Sequence, residues 1–144
     1  MKLTRKSLVS AGCGLVLTTG LIVILVIISD AFMQYFPVSI QKRIPSLIFI
    51  LSILGVTPFL ARKLNRLADI EKILGWTFIG LGVIFIAFPI SLFFIIYSAA
   101  SAGVLIFTVM VLTYSLVFGI PAGLISIAMG IFLIRQLRYS LPGL

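Results

Sequence analysis

The sequence predicts an all-α integral membrane protein, with four transmembrane helices in an antiparallel bundle and both termini in the cytoplasm. Three observations support this prediction. Hydrophobic residues make up 62% of the 144 residues and charged residues only 10%, whereas soluble domains are about half apolar and about a quarter charged. The apolar residues fall into four long runs that lack the alternating polarity of membrane barrels. The basic residues lie almost entirely between those runs, which is typical of membrane topology.

Each of the four runs is a candidate transmembrane helix, since about 20 apolar residues cross the hydrocarbon core. The runs cover residues 7–29, 45–61, 73–97 and 103–134 of one membrane domain, 1–144. The second run is short, and we expect its helix to continue into "RKLNRLADIEK". The fourth would reach about 48 Å at a rise of about 1.5 Å per residue. That exceeds the hydrocarbon thickness of about 30 Å, so the fourth helix must tilt, bend or project from the membrane.

The first run follows the basic segment "MKLTRK", as the apolar part of a secretory signal peptide would. It is long for a signal peptide, and no A-x-A cleavage site follows it. We therefore expect the first run to be retained as a transmembrane helix.

The basic residues predict the orientation. One side of the membrane receives nine of them: Lys2, Arg5, Lys6, Arg62, Lys63, Arg66, Lys72, Arg135 and Arg138. The other side receives only Lys42 and Arg43. The positive-inside rule then places both termini in the cytoplasm, and we expect a prokaryotic inner membrane. The aromatic residues agree with this orientation, since Trp76 and Tyr139 lie beside the basic ends and Tyr35, Phe36 and Tyr97 near the opposite ends. The net charge of +8 is thus a topological signal, and we expect no nucleic-acid partner.

The sequence contains few groups that could perform chemistry. No ionisable residue lies near the centre of a run: Asp30 follows the first run, and Asp69 and Glu71 lie in a basic connection. One cysteine, Cys13, and no histidine cannot supply a structural zinc site or a bis-histidine haem. We expect no catalytic residue, no metal and no cofactor with a recognisable motif, although a pigment, quinone or lipid held by apolar contacts would leave no signal. The chain also lacks the first-span glutamate of small multidrug transporters and the paired cysteines of quinone-linked disulfide enzymes.

The fourth run carries a face of small residues at helical spacing: Ser115, Gly119, Ala122, Gly123, Ser126 and Gly130. Small residues let two helices approach closely, which partly replaces the hydrophobic driving force that is missing in lipid. The face is therefore a predicted helix-packing surface. Its partner is either another helix of this chain or another subunit.

Prolines predict kinks in three of the helices, at Pro58, Pro89 and Pro121. Proline has no N–H to donate and its ring clashes with the carbonyl four residues earlier, which for Pro121 is the carbonyl of Val117. A static kink is favoured over a gating hinge.

These observations favour a non-catalytic small subunit, or an assembly or stabilising factor, of a larger membrane protein complex. Without reactive groups or large loops, the faces embedded in the bilayer are the main available interaction surface, for other membrane subunits or for copies of the chain itself. The alternative is a small homo-oligomeric transporter, channel or holin-like pore, in which hydroxyl groups line the path and Pro121 acts as a hinge. A lipid-acting enzyme is the third and least favoured class.

Overall fold

The computed structural model describes residues 4–33, 37–41, 43–67, 69–98 and 102–139. The α-helices are α1 (Arg5–Met33), α2 (Val38–Gln41), α3 (Ile44–Leu51), α4 (Thr57–Asn65), α5 (Ile70–Ser98), α6 (Ala102–Tyr114) and α7 (Ile120–Tyr139). Two π-helical segments, Ser52–Val56 and Ser115–Gly119, join α3 to α4 and α6 to α7. We call them the first and second π segments. Four residues used above to argue orientation, Lys2, Tyr35, Phe36 and Lys42, lie outside the described residues.

These elements form four helices that are long and apolar enough to cross a membrane. The first span is α1, the second is α3 with the first π segment and α4, the third is α5, and the fourth is α6 with the second π segment and α7. The apolar stretches are Arg5–Asp30, Ile44–Asn65, Ile70–Ile96 and Leu105–Gln136. The prediction of an all-helical chain with four potential membrane spans is therefore confirmed.

The helix contacts arrange the four spans in a row. The first span packs on both the second and the third, and the third packs on the fourth. Among the described residues, the second and fourth spans share no comparable contact with each other. The order across the row is therefore second, first, third, fourth, with two inner spans and two outer spans.

The buried apolar core is small and lies where the first, second and third spans meet. Leu17, Leu64 and Ile73 form this core. The chain has an accessible surface of 10058 Å², against about 7,300 Å² for a compact soluble protein of this mass. A row leaves large apolar side chains exposed on every span, and such side chains are stable against lipid.

Candidate functional site

The contact between the third and fourth spans is built from two pairs of glycines. A methyl carbon placed on Gly82 would lie 2.5 Å from the carbonyl oxygen of Gly123, and one placed on Gly130 would lie 2.5 Å from that of Gly75. Backbone atoms cannot move away from such a clash as a flexible side chain can. Only glycine fits at Gly82, Gly123 and Gly130, because the two backbones lie directly against each other there, and Gly75 is nearly as close, at 3.0 Å from the Gly130 carbonyl oxygen.

The spacing of the glycines explains why the pairs coincide. Gly75 and Gly82 are seven residues apart on one helix, and Gly123 and Gly130 are seven apart on the other. Seven residues are about two helical turns, so each pair lies on a single face. The pairs contact each other in reverse chain order, Gly75 with Gly130 and Gly82 with Gly123.

A hydrogen bond between the two helices lies between the glycine pairs. The Ser126 hydroxyl donates to the carbonyl oxygen of Phe78 at 2.8 Å. Interhelical hydrogen bonds of this kind contribute about 0.6 kcal/mol on average in membranes. The bond adds a specific polar contact to a surface that is otherwise held by close packing.

The other small residues of the predicted face lie in different environments. A methyl carbon on Gly119 would be 3.5 Å from the Phe85 carbonyl oxygen, an ordinary contact distance. The Ser115 hydroxyl donates to the Leu112 carbonyl of its own helix at 2.9 Å, and Ala122 is exposed. The structure thus places Gly119, Gly123, Ser126 and Gly130 against the third span, and not Ala122.

Sequence reasoning identified the small-residue face of the fourth span but missed the partner surface on the third. Gly75 and Gly82 repeat the seven-residue spacing of Gly123 and Gly130. A search for the same glycine spacing in two different runs would have found both halves of the contact.

The three prolines occupy two kinds of environment. Pro89 is fully buried inside α5, which is α-helical throughout. Pro58 and Pro121 are exposed, and each is the second residue after a π segment. Whether any of the three helices bends at its proline stays a prediction.

The two π segments share one hydrogen-bond pattern. The Thr57 N–H donates to the Ser52 carbonyl, and the Ile120 N–H donates to the Ser115 carbonyl. Both are bonds to the fifth residue back, where an α-helix bonds to the fourth. In both spans a serine stands six residues before the proline, so the two outer spans accommodate proline in the same way.

Hydroxyl groups inside the spans mostly bond to their own helix. Thr18 donates to the Gly14 carbonyl at 2.8 Å, Thr77 to the Ile73 carbonyl at 2.7 Å and Ser10 to the Lys6 carbonyl at 3.0 Å. These three side chains are buried. Their bonds supply the partners that buried polar groups require, and they leave the helix contacts predominantly apolar.

The first span contacts its two neighbours through glycines as well. A methyl carbon on Gly14 would lie 3.0 Å from the Ala61 backbone nitrogen, and Gly20 lies against Ile84. An apolar groove of about 340 Å³ runs between the first and third spans, lined by Val9, Gly12, Cys13, Val16, Leu74, Thr77, Phe78 and Leu81. The groove would suit an acyl chain or another apolar group.

The acidic residues lie toward the ends of the spans. Asp69 pairs with Lys72 at 3.1 Å in the connection between the second and third spans, and Asp30 and Glu71 are exposed. Within the described ranges, no three histidine, cysteine, aspartate or glutamate side chains come close enough to hold a metal ion. The described acidic groups therefore form a local ion pair and two exposed carboxylates.

Comparison with known proteins gives no family. No family model matches the chain, and neither a curated protein nor a solved structure is significantly similar to it.

Proposed function

We propose that this chain is a non-catalytic small subunit, or an assembly or stabilising factor, of a larger membrane protein complex. The observation that carries the proposal is the open row of spans. Each outer span packs mainly on one neighbour, although α4 of the second span also touches α5, and the rest of its surface exposes large apolar side chains. On the fourth span these include Phe107, Met110, Phe118, Ile125 and Phe132.

The glycine contact also bears on this proposal, because it uses the small-residue face within the chain and leaves that face unavailable to another subunit. Gly123 and Gly130 pack against the third span of the same chain, so they are occupied within the protein. Contact with other subunits would then be made by the exposed apolar sides of the outer spans. Such sides can pack against protein or lipid equally well, because lipid tails are as apolar as leucine.

The orientation is part of the same proposal. We place the protein in a prokaryotic inner membrane, with antiparallel spans and both termini in the cytoplasm. The reversed order of the glycine pairs between the third and fourth spans supports opposite directions for these two helices. The basic residues of the N-terminal segment and of the connection between the second and third spans support the cytoplasmic side.

Cysteine labelling tests the orientation. In a Cys13→Ser background, Val38→Cys and Asn65→Cys introduce thiols at two exposed positions on predicted opposite sides. A maleimide that cannot cross the membrane should label Val38→Cys in intact spheroplasts. It should label Asn65→Cys only after the membrane is opened, and the reverse result would invert the orientation.

Native mass spectrometry of the gently solubilised protein tests the function. We expect a particle containing this chain with at least one different membrane protein at fixed stoichiometry. A chain found only alone would contradict the proposal. A chain found only with itself, together with ion flux in proteoliposomes made from the purified protein, would instead support the homo-oligomeric transporter, channel or pore.

A further inference from the structure

We infer that the exposed side of the fourth span at the second π segment binds a transmembrane helix of a different protein, one that brings hydrogen-bond donors to the backbone carbonyls of Leu116 and Val117. This inference rests on the proposed function and names the surface and the chemistry of the contact.

The two carbonyls lose their usual donors for two separate reasons. In an α-helix, the carbonyl of one residue accepts from the N–H of the fourth residue onward. The Ile120 N–H would donate to the Leu116 carbonyl in a regular α-helix, but it donates to the Ser115 carbonyl instead. The residue that would donate to the Val117 carbonyl is Pro121, which has no N–H.

The depth of this site makes the loss important. The apolar stretch of the fourth span begins at Leu105, and the second π segment begins ten residues later at Ser115. Because that stretch continues to Gln136, the π segment and Pro121 lie near its middle. At that depth lipid offers no hydrogen-bond donor, and backbone polar groups must be satisfied by protein or by water in a cavity.

The second π segment packs on the third span on one side, but the two prolines differ in cover, since Pro89 is fully buried. Pro89 removes the usual donor of the Phe85 carbonyl, and that oxygen lies against Gly119 inside the helix contact. Pro121, by contrast, is exposed. The side chains of Val117 and Phe118 beside it are 58% and 66% exposed, so an approaching helix can reach this turn.

The required partner carries a hydroxyl, amide, indole or basic side chain at mid-depth on an otherwise apolar helix. The apolar part would pack on an exposed stripe formed by Met110, Val117, Phe118 and Leu124. Backbone carbonyls are acceptors only, so the complementary surface must donate.

A second copy of this chain is a poor source of those donors. The exposed Thr113 hydroxyl already donates to the Val109 carbonyl at 2.9 Å, and Ser115 donates to Leu112. Helical side chains lean toward the N-terminus of their helix. The Tyr114 hydroxyl therefore lies N-terminal to the π segment, away from the two carbonyls. In a parallel pair of fourth spans, this hydroxyl and the carbonyls would be at different depths.

The test combines native mass spectrometry with photo-crosslinking on the full-length protein in its own membrane. Pro121→Ala restores a donor for Val117, and we expect it to lower the fraction of chain bound to the partner by about threefold to tenfold. Pro58→Ala alters the equivalent turn on the opposite edge of the row and should leave that fraction unchanged. An equal loss in both variants would overturn the inference.

Photo-crosslinking is done with Pro121 in place, so its result does not depend on whether Pro121→Ala folds normally. A photoreactive residue at Val117 is expected to capture the same subunit that mass spectrometry finds at fixed stoichiometry. Val23 is the matched control, because it is 44% exposed on the first span and lies at a similar depth through the Gly20–Ile84 contact. It should capture that subunit much less.

The outcomes separate the two proposals. If no other subunit is present at fixed stoichiometry, the proposed function fails and the inference fails with it. If the subunit is present but Val117 captures only lipid or a second copy of this chain, the inference alone is overturned.

Discussion

The two inner spans differ from the two outer spans both in the regularity of their helices and in how many neighbours they pack on. The first and third spans are unbroken α-helices of 29 residues each, and in the row each has a neighbour on both sides. The second and fourth spans are each divided by a π segment and a proline and pack mainly on one neighbour. Helix irregularity in this chain thus coincides with the edges of the row.

The prolines show what the difference means. Pro89, in an inner span, is surrounded by protein, and the neighbouring span covers the interrupted turn. Pro58 and Pro121, in the outer spans, are exposed beside carbonyls that have lost their α-helical donors. An irregular turn at mid-depth is stable where protein covers it. The outer spans are therefore the place where we propose a further protein neighbour.

The largest effect is expected at the glycine contact between the third span, an inner one, and the fourth, an outer one. Gly123→Leu places a side chain where even a methyl carbon would lie 2.8 Å from the Gly82 carbonyl oxygen. The two helices must separate, and we expect the free energy of unfolding to fall by at least about 3 kcal/mol. Reversible unfolding in mixed detergent micelles, followed by circular dichroism, measures this change.

Gly55→Leu is the matched control in an outer span, since nothing lies within 4 Å of a methyl carbon placed there. Its unfolding free energy should not fall, and helix propensity should raise it by about 0.5–1 kcal/mol. Equal destabilisation by the two substitutions would mean that the glycine contact between the third and fourth spans has no special role.

The next effect compares two glycines of the same helix. Gly14 faces the Ala61 backbone at 3.0 Å, whereas Gly12 has nothing within 4 Å. Gly14→Ala should lower the free energy of unfolding by about 1–2 kcal/mol, because backbone atoms of the second span must move. Gly12→Ala should raise it by about 0.5–1 kcal/mol through helix propensity, and the same unfolding assay would reveal a result of the opposite sign.

A smaller effect is expected in amide hydrogen exchange of the isolated chain. The two π segments should exchange faster than α1 and α5 at the same depth, because their carbonyls and N–H groups are less regularly paired. In Pro121→Ala, exchange in the segment 115–120 should slow by about fivefold, the equivalent of one hydrogen bond of about 1 kcal/mol. Uniform exchange in all four spans of the parent protein would remove the distinction between inner and outer helices.

The smallest effect concerns two serines of the fourth span. Ser126→Ala removes the hydrogen bond to the Phe78 carbonyl of the third span and should lower the unfolding free energy by about 0.6 kcal/mol. Ser115→Ala removes only a bond to its own helix and should change it less. If Ser115→Ala had the larger effect, the interhelical bond would not be a significant link.

The fold class could be predicted from the sequence because lipid makes strict demands. A run of apolar residues without polar alternation has only one way to satisfy its backbone in a bilayer, which is a helix. The same demand predicts that a helix beginning near Pro45 continues past Ala61 to reach sufficient length, and α4 ends at Asn65.

The order of the spans could not be predicted in this way. The spans are apolar on all sides, so no hydrophobic face indicates which helix is the neighbour. The information lies in a few glycines, and Gly75 and Gly82 are recognised as half of a contact only when compared with Gly123 and Gly130.

The π segments could not be predicted from the sequence either. Proline predicts that one backbone hydrogen bond is lost, but not how the helix responds. Pro89 lies in a continuous α-helix, whereas Pro121 follows a wider turn. The difference coincides with whether the proline itself is buried or exposed, and that is a property of the whole arrangement.

The order of the row also has a consequence for biosynthesis. The second and third spans both pack on the first, and the fourth packs on the third. Each helix that leaves the ribosome therefore finds its partner already inserted in the bilayer, and no span has to wait for one translated later. The chain can assemble in the order in which it is made, from its N-terminal helix outward to both edges.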